Sequence, residues 1–76
     1  MLEVLVFGEL VDIIGSEKLS IAYCSNTNEL YSLLYGKFPA LQNKTFLVAQ
    51  NNLIISTQDS IIKGSEIALL PPFSGG

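Results

Sequence analysis

The chain has 76 residues, four basic and seven acidic side chains, a single cysteine and no histidine. This length allows one domain with a modest core, and a hydrophobic share of 49% against 14% charged argues against disorder. A net charge of −3 without arginine leaves no footprint for nucleic acid or an anionic membrane, and one cysteine with no histidine excludes disulfide frameworks, His-ligated or Cys-rich metal sites and His-activated nucleophiles.

Leu2, Val4 and Val6 alternate with Glu3, Leu5 and Phe7, a period of two that predicts a strand ended by Gly8. Both faces are largely apolar, so the strand is expected to be central. Glu3 stands where a secretory leader would have positive charge, and no apolar run approaches the ~18 residues of a membrane span. A cytoplasmic protein is expected. Leu10, Ile13 and Ile14 form a short helical turn before Gly15-Ser16. Lys18 to Tyr23 resumes alternation, with Leu19, Ile21 and Tyr23 on one face, and is expected to pair with the first strand. Cys24, at the end of that apolar run, reads as a small buried hydrophobe.

The main helix is predicted over Thr27 to Phe38. Leu30, Leu33, Leu34 and Phe38 fall on one stripe, Asn26 is placed to cap the start, and Glu29 occupies the capping-box position. Tyr31 and Tyr35 form a half-exposed flank, and Pro39 stops the helix. Thr45 to Gln50 is the next strand, with Phe46 and Val48 opposite Leu47 and Ala49. Asn51-Asn52 is a tight turn, because asparagine tolerates the left-handed region. Leu53 to Ser56 returns antiparallel. After a polar loop and a turn at Lys63-Gly64, Glu66 to Leu70 forms the last strand.

One helix covers only one face of such a sheet. The order strand, strand, helix, strand, strand, strand therefore predicts an α+β fold of the β-grasp, ubiquitin-like kind. In it a mixed sheet wraps one main helix, and the first and last strands lie parallel in the middle. Residues 1–70 form this body and residues 71–76 an extended tail.

The tail, Pro71-Pro72-Phe73-Ser74-Gly75-Gly76, is the most informative segment. The two prolines lack N–H donors and fix φ, so the strand stops and an extended segment projects from the body. Phe73 places a large apolar ring on an otherwise slender tail and points to docking on another protein. Ser74 and Gly75 have little bulk to obstruct threading, and Gly76 has no Cβ, so its carboxylate can enter a narrow channel. Period two sets Leu5, Phe7, Ala68 and Leu70 on the sheet face away from the helix, forming with Pro71, Pro72 and Phe73 an apolar stripe toward the tail. The alternative for that face is a minor packing layer formed by the Leu10–Ile14 turn.

Leu69 to Gly76, preceded by Gly64-Ser65-Glu66-Ile67-Ala68, resembles the end of the small subunit of molybdopterin synthase. Val4 to Gly8, Leu10 to Gly15 and Val48 to Asn51 resemble that family's first strand, short helix and middle hairpin. Val11 departs from a position that is often basic in the family, and Ser65 from its usual aspartate. The resemblance implies that Gly76 is the reacting residue. An adenylating enzyme using ATP and magnesium activates its carboxylate, sulfur from a donor protein replaces the adenylate, and the thiocarboxylate enters the synthase large subunit. There its sulfur passes to cyclic pyranopterin monophosphate, building the dithiolene, within a heterotetramer. No cofactor, metal or catalytic side chain of the chain's own is expected. A carrier for thiamin or cysteine synthesis, and a ubiquitin-like modifier or interaction module, are the alternatives.

Overall fold

A computed structural model of the chain describes residues 1–55 and 59–72. Its elements are β1 (Leu2–Val6), α1 (Leu10–Ile14), β2 (Lys18–Ile21), α2 (Thr27–Lys37), β3 (Leu47–Gln50), β4 (Leu53–Ile55) and β5 (Ile67–Leu70), with a short 3-10 turn at Pro39–Asn43 before β3. The sheet order is β2-β1-β5-β3-β4. β1 pairs parallel with β5 and antiparallel with β2, whereas β3 pairs antiparallel with both β5 and β4. This is the β-grasp arrangement expected from the element order, with the two sequence-distant strands side by side at its centre.

Alternation decides what each strand buries. Leu2, Val4, Val6, Ile21, Val48, Ile67 and Leu69 point to one face and are almost fully buried, where they meet Leu30 and Leu34 of α2 and Leu41 of the 3-10 turn. Helix α2 begins where the Asn26 side chain accepts from the Glu29 amide at 2.9 Å, and it ends one residue before Phe38. Of the predicted stripe, Leu30 and Leu34 are buried whereas Leu33 and Phe38 pack at its margin. Glu29 departs from the capping-box geometry. Its carboxylate accepts from the amide and hydroxyl of Ser25, each at 2.9 Å, rather than from Asn26.

Tyr31 and Tyr35 are half-buried, because their stacked rings (5.9 Å between centroids) pack on Phe46, 5.4 Å from Tyr31. Strand β2 is shorter than predicted. It ends at Ile21, and Tyr23 turns out to donate its hydroxyl to the Ile61 carbonyl at 2.6 Å. β3 likewise starts only at Leu47, since Thr45 and Phe46 lie outside the ladder. The Asn51-Asn52 turn has φ of 50° and 71°, the conformation that joins two twisted strands with a two-residue loop.

The segment before β5 has little regular structure and is held by side chains. Gln50 accepts the Ile62 amide at 2.8 Å and donates to the Ser60 carbonyl at 3.2 Å. The Ser65 hydroxyl lies 2.6 Å from the Ile62 carbonyl and 3.0 Å from the Gln50 amide oxygen. Ser65 thus fills its position as a buried neutral link, where an aspartate would bring a charge. Cys24 is buried, and burial, with Glu29 nearby, pushes its thiol pKa up, away from the reactive thiolate.

Candidate functional site

The sheet has one covered face and one open face, and the open one leads to the tail. α1 does not cover it. Leu10 enters the core beneath the other face, and α1 packs against β1 and the 3-10 turn. The register then sets two apolar rows on the open side. Leu5 stands beside Ala68, Ala68 beside Ala49, and Ala49 beside Ile54, a row across four strands. Leu70 pairs with Leu47, and Phe7 flanks Leu70 from the end of β1, where its amide donates to the Leu69 carbonyl at 3.1 Å.

Leu5, Phe7, Ala68 and Leu70, marked out by sequence alternation, are thus brought together, and Leu47, Ala49 and Ile54 join them. Phe7 is 44% exposed, Leu47 36% and Ile54 57%, so each offers apolar surface for a partner to cover. The two alanines make the middle of the face shallow between Leu5 and Ile54. The flank away from β4 is polar: Lys18 sits opposite Leu5, and the Ser20 hydroxyl donates to the Glu3 carboxylate.

Pro71 and Pro72 follow directly from the second row and are half-buried. Pro71 lies against Gly8. A Cβ built on Gly8 would stand 2.8 Å from the Pro71 Cγ, and Gly8 itself has a φ of +62°. Nearby in sequence, the Glu9 carboxylate before α1 meets the Lys44 ammonium after the 3-10 turn at 3.6 Å. Phe73, Ser74, Gly75 and Gly76 lie outside the described residues.

Leu47, Ala49 and Ile54 were not singled out from the sequence as part of this face. Their own alternation carried the signal, but assigning them requires β3 to lie beside β5, which is a property of strand order. Gly8 read only as a strand end; its proximity to proline is visible in three dimensions alone. Among the described residues no group of three or more acidic or cysteine side chains is placed to hold a metal ion, and no helix is long and apolar enough to cross a membrane.

Comparison with known proteins places this geometry in context. The model described as the ThiS family matches residues 4–76. A molybdopterin synthase sulfur carrier subunit from Caenorhabditis elegans is 30% identical over 81 residues, covering 99% of this chain and 96% of the relative. Among solved structures, a chain in the complex of subunits 1 and 2 of molybdopterin-converting factor from Helicobacter pylori is 28% identical with a TM-score of 0.71, over 99% of this chain and 97% of that one. The small archaeal modifier protein SAMP1 from Haloferax volcanii superposes with a TM-score of 0.78 at 24% identity, over 99% and 98% of the two chains, and shows the ubiquitin-like fold alone.

Proposed function

This chain belongs to the ThiS family, and on that premise we propose that it is the sulfur-carrier small subunit of a molybdopterin synthase, with the Gly76 carboxylate as its reacting group. The observation that carries the reading is that the family match runs through Gly76 itself, so the likeness includes the reactive end as well as the body. The choice of pathway follows the likeness to carrier subunits of molybdopterin synthase along the whole chain.

A carboxylate resists nucleophilic attack because of its negative charge. The Gly76 oxygen therefore first attacks the α-phosphorus of ATP on a magnesium-dependent adenylating enzyme, and pyrophosphate leaves. A persulfide on a donor protein then attacks the acyl carbon and AMP leaves, giving an acyl disulfide. A second thiol cleaves its S–S bond, releasing the thiocarboxylate and leaving a disulfide with the donor's sulfur. That sulfur is handed on inside the synthase large subunit to cyclic pyranopterin monophosphate, in a heterotetramer and in the cytoplasm. The phosphate-handling cations belong to the partners, since this acidic chain has no arginine.

The open face is the proposed dock for the large subunit. The Helicobacter relative was solved with its second subunit, which supports a partner of this kind. The exposed parts of Phe7, Leu47 and Ile54 amount to only a few hundred Å2, on the order of 300, whereas a stable interface takes about 800 Å2 from each partner. The proposed dock therefore extends beyond these three side chains to Leu5, Ala68, Leu70, Pro71, Pro72, Phe73 and the Ser74-Gly75-Gly76 end.

Intact mass spectrometry after incubation with ATP, a sulfur donor and the adenylating enzyme tests the reading. An oxygen-to-sulfur mass change confined to the C-terminal peptide is expected. The Gly76 deletion should abolish it while leaving the melting temperature within about 2 °C, because it removes no side chain. Lysine-linked adducts without thiocarboxylate would instead indicate a modifier, and sulfur delivered to a thiazole precursor but not to the pterin would indicate another pathway.

A further inference from the structure

The root of the tail sits between two flanking segments. β5 lies between β1 and β3; β1 runs parallel to it and β3 antiparallel. The residues after β1 and those before β3 therefore stand on either side of the point where β5 gives way to Pro71. The Phe7 amide donates to the Leu69 carbonyl, holding the flanking chain alongside up to that point. The next residue is Gly8, whose missing Cβ would fall 2.8 Å from Pro71 Cγ and 3.4 Å from Cδ. Carbon atoms do not approach so closely, and a proline ring is bonded back to its own backbone nitrogen, so the ring yields only by moving the main chain. The residue after Gly8, Glu9, reaches Lys44 at 3.6 Å. Glu9 precedes α1 and Lys44 follows the 3-10 turn, two segments that pack on each other, so the ion pair fastens the turn after β1 to the segment that leads into β3.

The other left-handed glycines provide an internal contrast. Gly15 and Gly64 have φ of +86° and +83° with no atom within 4 Å of a built Cβ. Glycine there answers to backbone conformation alone. At Gly8 it answers to conformation and to Pro71.

We propose that Gly8 is a positioning residue for the tail: its bare α-carbon lets the turn after β1 close on Pro71, and this contact sets the direction in which the last residues leave the sheet. The proposal rests on the carrier reading and deepens it. A terminus that must enter a narrow partner site loses less freedom on binding when its root is already aimed, and a misaimed root costs rate at an atom several residues away.

Three variants test it: Gly8→Ala, Gly15→Ala as a control at another left-handed glycine with no neighbour, and Gly8→Ala combined with Pro71→Gly, which removes the ring. Both single alanine variants should lose stability, Gly8→Ala the more, because it adds the clash with Pro71 to the backbone cost. Only Gly8→Ala should lower kcat/KM for adenylation of Gly76, by about tenfold, and in the Pro71→Gly background its additional effect should fall below twofold. One-bond Cα–Hα residual dipolar couplings of Pro71 and Pro72, measured on the free protein, should change in Gly8→Ala and not in Gly15→Ala. Wild-type protein that is never adenylated would count against the carrier reading, and the couplings would still decide the role of Gly8. Unchanged couplings in Gly8→Ala, or kinetics equal to those of Gly15→Ala, would overturn it.

Discussion

Glu29 serves the first turn of α2 twice. Its amide is capped by Asn26, and its carboxylate gathers the amide and hydroxyl of Ser25. Those bonds from Ser25, the backbone one first, hold the carboxyl pKa below its ordinary value of 4.5. The sign follows from proton counting. Between the lowered and ordinary values the unfolded chain binds more protons than the folded one, so stability rises with pH through that window. It is complete above 4.5 and lost as pH falls through the lowered value. Urea titrations at pH 7 and pH 3 should show Glu29→Gln losing less stability on acidification than the wild type. Asn26 and its cap were legible in the sequence because both partners lie within three residues. The reach of Glu29 back to Ser25 was not, since nothing in the residue pattern distinguishes Ser25 from Asn26 as the acceptor's partner.

At the scale of elements, the local signals translated well wherever a segment's neighbours lie close in sequence. The alternation of β1, the stripe of α2 and the left-handed turn at Asn51-Asn52 depend on residues two to four apart, and all three formed. Strand ends depend on distant partners and were less legible. Tyr23 leaves β2 for the Ile61 carbonyl, and Phe46 leaves the β3 ladder to pack with Tyr31 and Tyr35. The open face belongs between these cases. Each strand announced which side chains alternate, but only the order β1-β5-β3-β4 joined them into rows. Leu70 sits in the row nearest the tail, half-buried and opposite Leu47. Leu70→Asp is therefore expected to weaken binding of the large subunit at least tenfold, by isothermal titration calorimetry, while costing only about 1 kcal/mol of folding stability. Equal losses in both would mean that Leu70 acts through the fold alone.

At the scale of the molecule, α2 and one sheet face supply most of the core, with Leu10 and Leu41 closing it from α1 and the 3-10 turn, and there is little in reserve. A chain of this size has a stability of roughly 4–11 kcal/mol. Leu34 is fully buried where α2 meets the sheet, so Leu34→Ala should remove about 3 kcal/mol, measurable by urea unfolding, a large share of the total. The fold class was legible because element order and a single long helix leave few ways to bury the apolar residues. The tail root was not, because the contact between Gly8 and Pro71 joins opposite ends of the chain. That same adjacency of distant segments governs how the molecule forms. Val4 and Ile67 pair near the middle of the sheet although they lie about sixty residues apart, so loop-closure entropy must be met before the central ladder returns any bonding energy. Folding on the millisecond-to-second scale follows from such non-local pairing. Until β5 arrives, β1 and β3 lack their shared neighbour, and Leu5 in the β1-β2 pair stays apart from Leu47 and Ile54 in the β3-β4 hairpin. The proposed docking face assembles only once β5 has paired with β1 and β3, so an incompletely folded molecule lacks the joined rows.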